Sequence, residues 1–394
     1  MAMAFSTRGS RLPAIFGGHP AFPEGLPLTR PSVPPTTTVL PDVCRILESG
    51  ILTDGPYVRE LEDRSAAFLG VRHCIAVASC TTGLMLVLRA SGLSGDVVVP
   101  SFTFAATVHA VSWNGLRPTF ADIDEVTLTV SPDAVARTIG VRTSAILATH
   151  TYGTPCDVQG LAAVAASNGV RLFFDAAHAF GSLRAGIHLG GFGDAEVFSL
   201  SPTKVLVAGE GGIIATHDDV IAERCRIGRD YGNPGDYDCR FVGLNARMSE
   251  IHAAIALRSL ESLEERISRR NKLAGLYREG LATIPGLGFP EVRREDRSTY
   301  KDFTALVDPE AFGSDAAWLA RALDAEGIET RRYYSPPVHA MHAYRHLAGT
   351  NGALRVTEAA ASRVLTLPMW SDMTEEHVSR VADAVQRLRL FAAD

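Results

Sequence analysis

Lysine is scarce in this 394-residue chain. Of its 38 basic residues, only Lys204, Lys272 and Lys301 are lysine, and the other 35 are arginine. An amine can shed its proton near neutrality and form an imine with a carbonyl, which a guanidinium cannot do. The codon bias of a GC-rich genome accounts for the rarity. It does not account for the setting of Lys204, in Ser199-Leu200-Ser201-Pro202-Thr203-Lys204 just ahead of Gly209-Glu210-Gly211-Gly212. These are small, turn-forming residues rather than a polar helix face.

Three further groups could work with such an amine. Asp175 ends the apolar run Val170–Phe174 and is followed by Ala176-Ala177-His178-Ala179. By itself it reads as a salt-bridge partner or a helix cap. Beside a cofactor it reads as the carboxylate that keeps a pyridinium nitrogen protonated. Ser79-Cys80-Thr81-Thr82 is a strand-to-helix turn, where free N–H groups and hydroxyls can hold a phosphate. Such a segment alone is more often only an N-cap. Ser199 could reach the same phosphate. Pro100-Ser101-Phe102-Thr103-Phe104 offers aromatics after a strand, either of which could stack on a ring or fill the core. An amine, a strand-end acid and a phosphate turn are together what pyridoxal 5′-phosphate requires, and their conjunction is far more specific than any part.

Such groups meet only if a sheet brings strand ends together. Short apolar runs recur at Cys74–Ala78, Val97–Val99, Ala145–Thr149, Val170–Phe174, Glu196–Leu200 and Gly212–Thr216. They lack clean alternation, and helical stretches such as Val158–Asn168 lie between several of them. That pattern predicts a buried, mostly parallel sheet in a three-layer α/β domain, whose ligands bind beyond the carboxyl ends of the strands. Residues 1–40, rich in Pro, Gly and Thr, read as an extended arm, with helical periodicity starting near Pro41. Residues 41–250 read as the large domain. A helix over about 249–280, with Glu265 and Arg269 spaced for an i,i+4 pair, leads into a smaller α+β domain that completes 251–394. Phe303–Val307 is its expected strand, and Ala316–Glu326 and Glu375–Leu390 its helices.

Composition excludes several classes. A net charge of −6 gives no basic footprint for nucleic acid. No uncharged apolar run is long enough to span a bilayer, and Met1–Arg11 lacks the apolar block of a signal peptide. Six scattered cysteines without a Cys-x-x-Cys pair read as reduced thiols of a cytoplasmic protein. No Gly-x-Gly-x-x-Gly follows a strand and no His/Cys set is clustered, which argues against a nicotinamide or metal enzyme.

The ordered motifs Leu52-Thr53-Asp54-Gly55-Pro56, Ala78–Leu84, Val99–Thr107, Phe174–Ala179, Phe198–Lys204, Gly209–Gly212 and Gly243–Met248 span most of the chain. With them the chain resembles the DegT/DnrJ/EryC1/StrS sugar aminotransferases, of the aspartate-aminotransferase (fold type I) arrangement. The resemblance implies that Lys204 binds pyridoxal phosphate covalently and shuttles protons. It implies that Asp175 pairs with the pyridine nitrogen, Phe104 stacks on the ring, and His178 lies beside it. Cys80, Thr81 and Ser199 would hold the phosphate. Asn245 would reach the neighbouring subunit's cofactor, implying a homodimer with shared sites. The implied reaction moves an amino group from L-glutamate to a nucleotide-linked keto sugar, foremost a 4-keto-6-deoxyhexose, with a 3-keto sugar or keto-cyclitol as the runner-up. A lysine rather than a histidine at position 204 separates the chain from related deoxygenating enzymes. The absence of a DNA-binding module ranks a non-catalytic regulator low. The chain departs from the common pattern at Cys80, which replaces a glycine, at Tyr231, and at Leu244 and Ala246.

Overall fold

The computed structural model describes residues 12–347 and 353–392. The Met1–Arg11 segment lies outside them. Seven strands form the main sheet: β1 (His73–Val77), β2 (Asp96–Pro100), β3 (Arg117–Ala121), β4 (Thr143–Thr149), β5 (Arg171–Asp175), β6 (Ala195–Ser199) and β7 (Gly212–Thr216). Their order is β1-β7-β6-β5-β4-β2-β3. Strand β7 runs antiparallel to both neighbours, and the other pairs are parallel.

Alternate residues of these strands enter different cores. Ile75, Val77, Val97, Val99, Leu147, Phe173, Val197 and Ile214 pack on one face with helices Cys80–Ala90 and Ala105–Trp113. Cys74, Ala76, Phe198, Ile213 and Ala215 pack on the other with helices Pro56–Leu69 and Glu250–Glu261. Val98, Ile146, Ala148, Leu172 and Phe174 continue that second layer with helix Val158–Asn168. A period of two with apolar residues on both faces explains why the strands read as continuous apolar runs.

Strand β3 was not predicted. Its Pro118 and alternating burial look like a loop or turn. The strand sits at the sheet edge, paired only to β2, where a missing N–H costs no ladder bond.

A second, antiparallel sheet joins β8 (Leu287–Gly288), β9 (Phe303–Val307) and β10 (Val364–Leu367). Helices Leu263–Leu281, Ala316–Ala325 and Glu375–Arg389 pack on it, and Phe22 and Leu26 from the N-terminal segment join their core. Leu26 bridges Ile328. The fully buried Glu326 accepts from the Ala14 and Ala21 N–H groups at 2.9 and 2.8 Å and pairs with Arg387. The described part of the N-terminal segment is therefore docked on the C-terminal sheet.

Two helix expectations are corrected. The first helix starts at Thr36, not near Pro41. Its opening Thr-Thr-Thr carries no apolar period to reveal it. The single helix expected over 249–280 is two, Glu250–Glu261 and Leu263–Leu281, broken at Ser262. The first packs on helix Pro56–Leu69; the second keeps Leu263 and Ile267 in that same core and carries Leu273, Tyr277 and Leu281 onto helix Glu375–Arg389. Arg269 bonds Glu375 and the Met373 carbonyl rather than Glu265.

One buried carboxylate ties the segment before the main sheet to the helix after it. Glu250 Oε1 accepts from the Gly55 and Val58 N–H groups, and Oε2 from that of Tyr57, all at 2.9 Å. It caps helix Pro56–Leu69 with a full charge at the positive end of the helix dipole. A Cβ on Gly55 would lie 2.7 Å from Glu250 Oε2, so only glycine leaves room for the cap. Glu250→Ala should destabilise the protein by about 2–3 kcal/mol, and Glu250→Gln by less. Chemical denaturation checks this, and an unchanged midpoint for Glu250→Ala would refute the cap.

Candidate active site

A cavity of about 340 Å³ opens at the carboxyl edge of the main sheet and holds Lys204, Asp175, Ser199, Cys80, Thr81, His178 and Phe104 in its wall. Seven of the eight expected site residues thus converge. The eighth, Asn245, is exposed and does not line this cavity.

Asp175 is the last residue of β5, and almost wholly buried. Its Oδ2 accepts from Thr107 Oγ1 at 2.6 Å and its Oδ1 from the Ala177 N–H at 3.0 Å. Thr107 belongs to a buried hydroxyl group with Thr103 (2.8 Å), which in turn meets Thr149 at the end of β4 (3.1 Å). Burial pushes the Asp175 carboxyl up from its ordinary range. The Thr107 and Ala177 hydrogen bonds and the charge of Lys204 work the other way. A cationic ring N–H is the kind of partner such a carboxylate lacks.

Lys204 lies in the loop between β6 and β7. Its N–H bonds the Ser201 carbonyl (3.0 Å), and the loop closes through Leu200 N–H to Gly211 O and Ala208 N–H to Leu200 O. Buried Val205 and Leu206 anchor it from below. Lys204 Nζ has no hydrogen-bond or ion-pair partner among the described residues. Burial, with Lys301 second, lowers its pKa to about 8. It is the amine of a nucleophile rather than of a structural salt bridge.

The turn after β1 forms the opposite wall. Ser79 caps helix Cys80–Ala90, accepting from the Thr82 N–H, while Thr82 Oγ1 accepts from the Ser79 N–H. The Cys80 and Thr81 N–H groups, first in the helix, have no intrahelical acceptor and remain for an anion. Cys80 needs no glycine conformation here, because it adopts ordinary helical geometry. Its thiol lies 3.5 Å from the Val197 carbonyl and 3.9 Å from Asp175 Oδ1, and burial holds it protonated. A Cβ on Gly212 would sit 2.7 Å from the Cys80 nitrogen, so β7 passes close behind this turn only as glycine. Ser199, at the end of β6, meets Ser201 Oγ at 3.3 Å, and both serines line the cavity.

The two phenylalanines of this segment have different surroundings. Phe102 is fully buried, edge-on to Tyr152 and Tyr334, whereas Phe104 is exposed and presents its ring to the cavity. His178 is partly buried, with a buried, unpartnered Nδ1, and desolvation plus the two nearby lysines hold it neutral. Ala246 is core, its N–H bonded to the Arg229 carbonyl and its own carbonyl to the Ala78 N–H. Tyr231 is exposed beneath the Arg247 guanidinium.

Several wall residues were missed. Lys301 and Asp302, just ahead of the Phe303–Val307 strand, enter the same cavity as Lys204, as do His150, Tyr333 and Tyr334. The rarity of lysine was a usable signal for Lys301. Nothing in the spacing links position 301 to 204. The residues present fit pyridoxal phosphate: a free amine, an acid lacking a cation, open N–H groups for a phosphate, and a neutral histidine with an orphan nitrogen.

Comparisons with known proteins place the chain in a family. The model of the DegT/DnrJ/EryC1/StrS aminotransferase family matches residues 36–386. The spore coat polysaccharide biosynthesis protein SpsC of Bacillus subtilis is 34% identical over 361 residues, 88% of this chain and 92% of that protein. The dTDP-4-amino-4,6-dideoxy-D-glucose transaminase of Escherichia coli is 32% identical, with coverage of 90% and 96%. The structure of DesI, solved in the presence of its TDP-sugar product, superposes with a TM-score of 0.91 at 40% identity, covering 96% of each chain. The match runs through every wall of the cavity, and the chain belongs to the DegT/DnrJ/EryC1/StrS aminotransferase family.

Proposed function

We propose that this aminotransferase uses pyridoxal 5′-phosphate to move an amino group from L-glutamate to a nucleoside-diphosphate-linked 4-keto-6-deoxyhexose. The observation that carries the reading is Lys204, an unpartnered amine with lowered basicity, set in one cavity with Asp175 and the open N–H groups of Cys80 and Thr81. When bound, the cofactor supplies a reactive carbonyl conjugated to an electron-withdrawing ring.

The chain's residues divide the remaining work. Cys80 and Thr81 N–H groups, with Ser199, hold the phosphate. Asp175 keeps a ring nitrogen protonated and is held in place by Thr107 and Ala177. Phe104 offers a flat apolar face. Lys204 takes a proton from the donor carbon and returns one to the adjoining position. In the second half of a ping-pong cycle it moves protons in the reverse sense for the keto sugar. That role needs the free amine, which a pKa of about 8 makes accessible near neutrality.

Relatives support the substrate class. Names such as GDP-perosamine synthase and dTDP-4-amino-4,6-dideoxy-D-glucose transaminase denote nucleotide-linked amino sugars. A 3-keto acceptor is the second reading, favoured by relatives of similar identity whose names place the amine at C3 of the sugar. We place the enzyme in the cytoplasm as a homodimer, with exposed Asn245 of each subunit reaching the partner's cofactor phosphate. No helix among the described residues is long and apolar enough to cross a membrane.

Purified enzyme should convert L-glutamate to 2-oxoglutarate beyond one equivalent per site only when a keto-sugar nucleotide is present, and yield one amino sugar from a panel of 3-keto and 4-keto acceptors. Turnover confined to 3-keto acceptors would overturn the assigned ring position, and no turnover with any of them would overturn the substrate class. The amine's basicity makes a separate prediction. Lowering the pKa favours the neutral amine, so protonation switches it off only as pH falls through the lowered value. The rate at which apoprotein captures pyridoxal phosphate should therefore rise through pH about 8 and flatten above it. A midpoint near the ordinary lysine value would contradict the assignment.

A further inference from the structure

The amino donor carries an α-carboxylate on the very carbon whose proton Lys204 must move. That carboxylate needs a cation close to Lys204 and apart from the phosphate turn. Among the described residues, no arginine lines the cavity, although the chain has 35 of them. The wall offers Lys204, Lys301 and the histidines His150 and His178. His150 is committed to the fully buried Glu196 at 3.1 Å, and His178 is held neutral. Lys301 remains.

Lys301 is 7% exposed and lies two residues before β9. Its Nζ donates to Asp302 Oδ1 at 2.7 Å and sits 5.6 Å from the centre of the Tyr333 ring. An ammonium has three N–H donors, and Asp302 accounts for one. Asp302 Oδ2 is itself buried without a donor, 3.9 Å from His178 Nδ1, which is equally unpartnered. Buried polar atoms left open in a ligand cavity mark a site completed by the ligand.

Resting on the proposed transamination, we infer that Lys301 binds the α-carboxylate of the amino donor, with Asp302 and Tyr333 as its positioning residues. The site lies beside the reacting carbon, where a substrate diphosphate, several bonds removed from the reacting ketone, has no reason to reach. Asp302 holds the ammonium in place while leaving donors for the incoming carboxylate. The buried setting strengthens that contact relative to water.

The test follows the spectral change of the bound cofactor on mixing with donor, using L-glutamate and 4-aminobutanoate, which is glutamate without its α-carboxylate. Lys301→Ala should weaken apparent L-glutamate affinity about 10- to 100-fold. It should leave the wild type's poor response to 4-aminobutanoate and the acceptor KM nearly unchanged, and Lys301→Arg should recover part of the loss. An intact visible band in each variant shows that the cofactor site has assembled. Glutamate affinity within about threefold of wild type, or equal losses for both amines, would overturn the inference. A wild type that loads cofactor but ignores L-glutamate would instead overturn the donor in the preceding section, a result distinct from an unaffected Lys301 variant.

Discussion

A buried carboxylate without a full cationic partner is the constraint on which this site depends. Asp175 ends β5 inside the molecule, held by one hydroxyl and one backbone N–H. Burying a charge is costly unless hydrogen bonds and an opposite charge offset it. The chain supplies the hydrogen bonds through Thr107, itself propped by Thr103 and Thr149 from neighbouring strand ends. It leaves the opposite charge to a ligand. Parallel strands make this possible, because β2, β4, β5 and β6 all deliver their last residues to one edge.

The same economy of partners recurs around the cavity. Lys204 has no acid bound to it, His178 and Asp302 each keep an orphan atom, and two lysines share one cavity. Each feature would be a defect in a structural core. Burial and the second lysine lower the basicity of Lys204, and burial with both lysines keeps His178 neutral. Elsewhere, two buried carboxylates have both oxygens met. Glu250 satisfies three N–H groups, and Glu326 ties the N-terminal segment to the C-terminal sheet.

The large sheet and most of the cavity wall were legible because both are local. Apolar runs ending in Asp175, Ser199 and Pro100 announce strand ends, and a serine before Cys-Thr-Thr announces a helix start. Strand β3 was not legible, since Pro118 breaks the strand pattern and only its edge position excuses it. The break at Ser262 was hidden because the apolar stripe continues through it while the packing partner changes. Lys301, Asp302 and Tyr333 were hidden for a different reason. They come from the second sheet and its flanking segment, and their meeting with Lys204 is a tertiary fact that no spacing encodes. Asn245 points the other way: its motif was legible, but its place is exposed and outside this chain's cavity.

With two lysines in one cavity, the identity of the one that bonds the cofactor is the most direct test of the account. Reduction of the pyridoxal-phosphate-loaded enzyme with borohydride, followed by peptide mapping, reads it out. The account predicts a single phosphopyridoxyl label, on the peptide containing Lys204, and its loss in Lys204→Ala. Label on Lys301 in the wild type, or no fixed label at all, would contradict it.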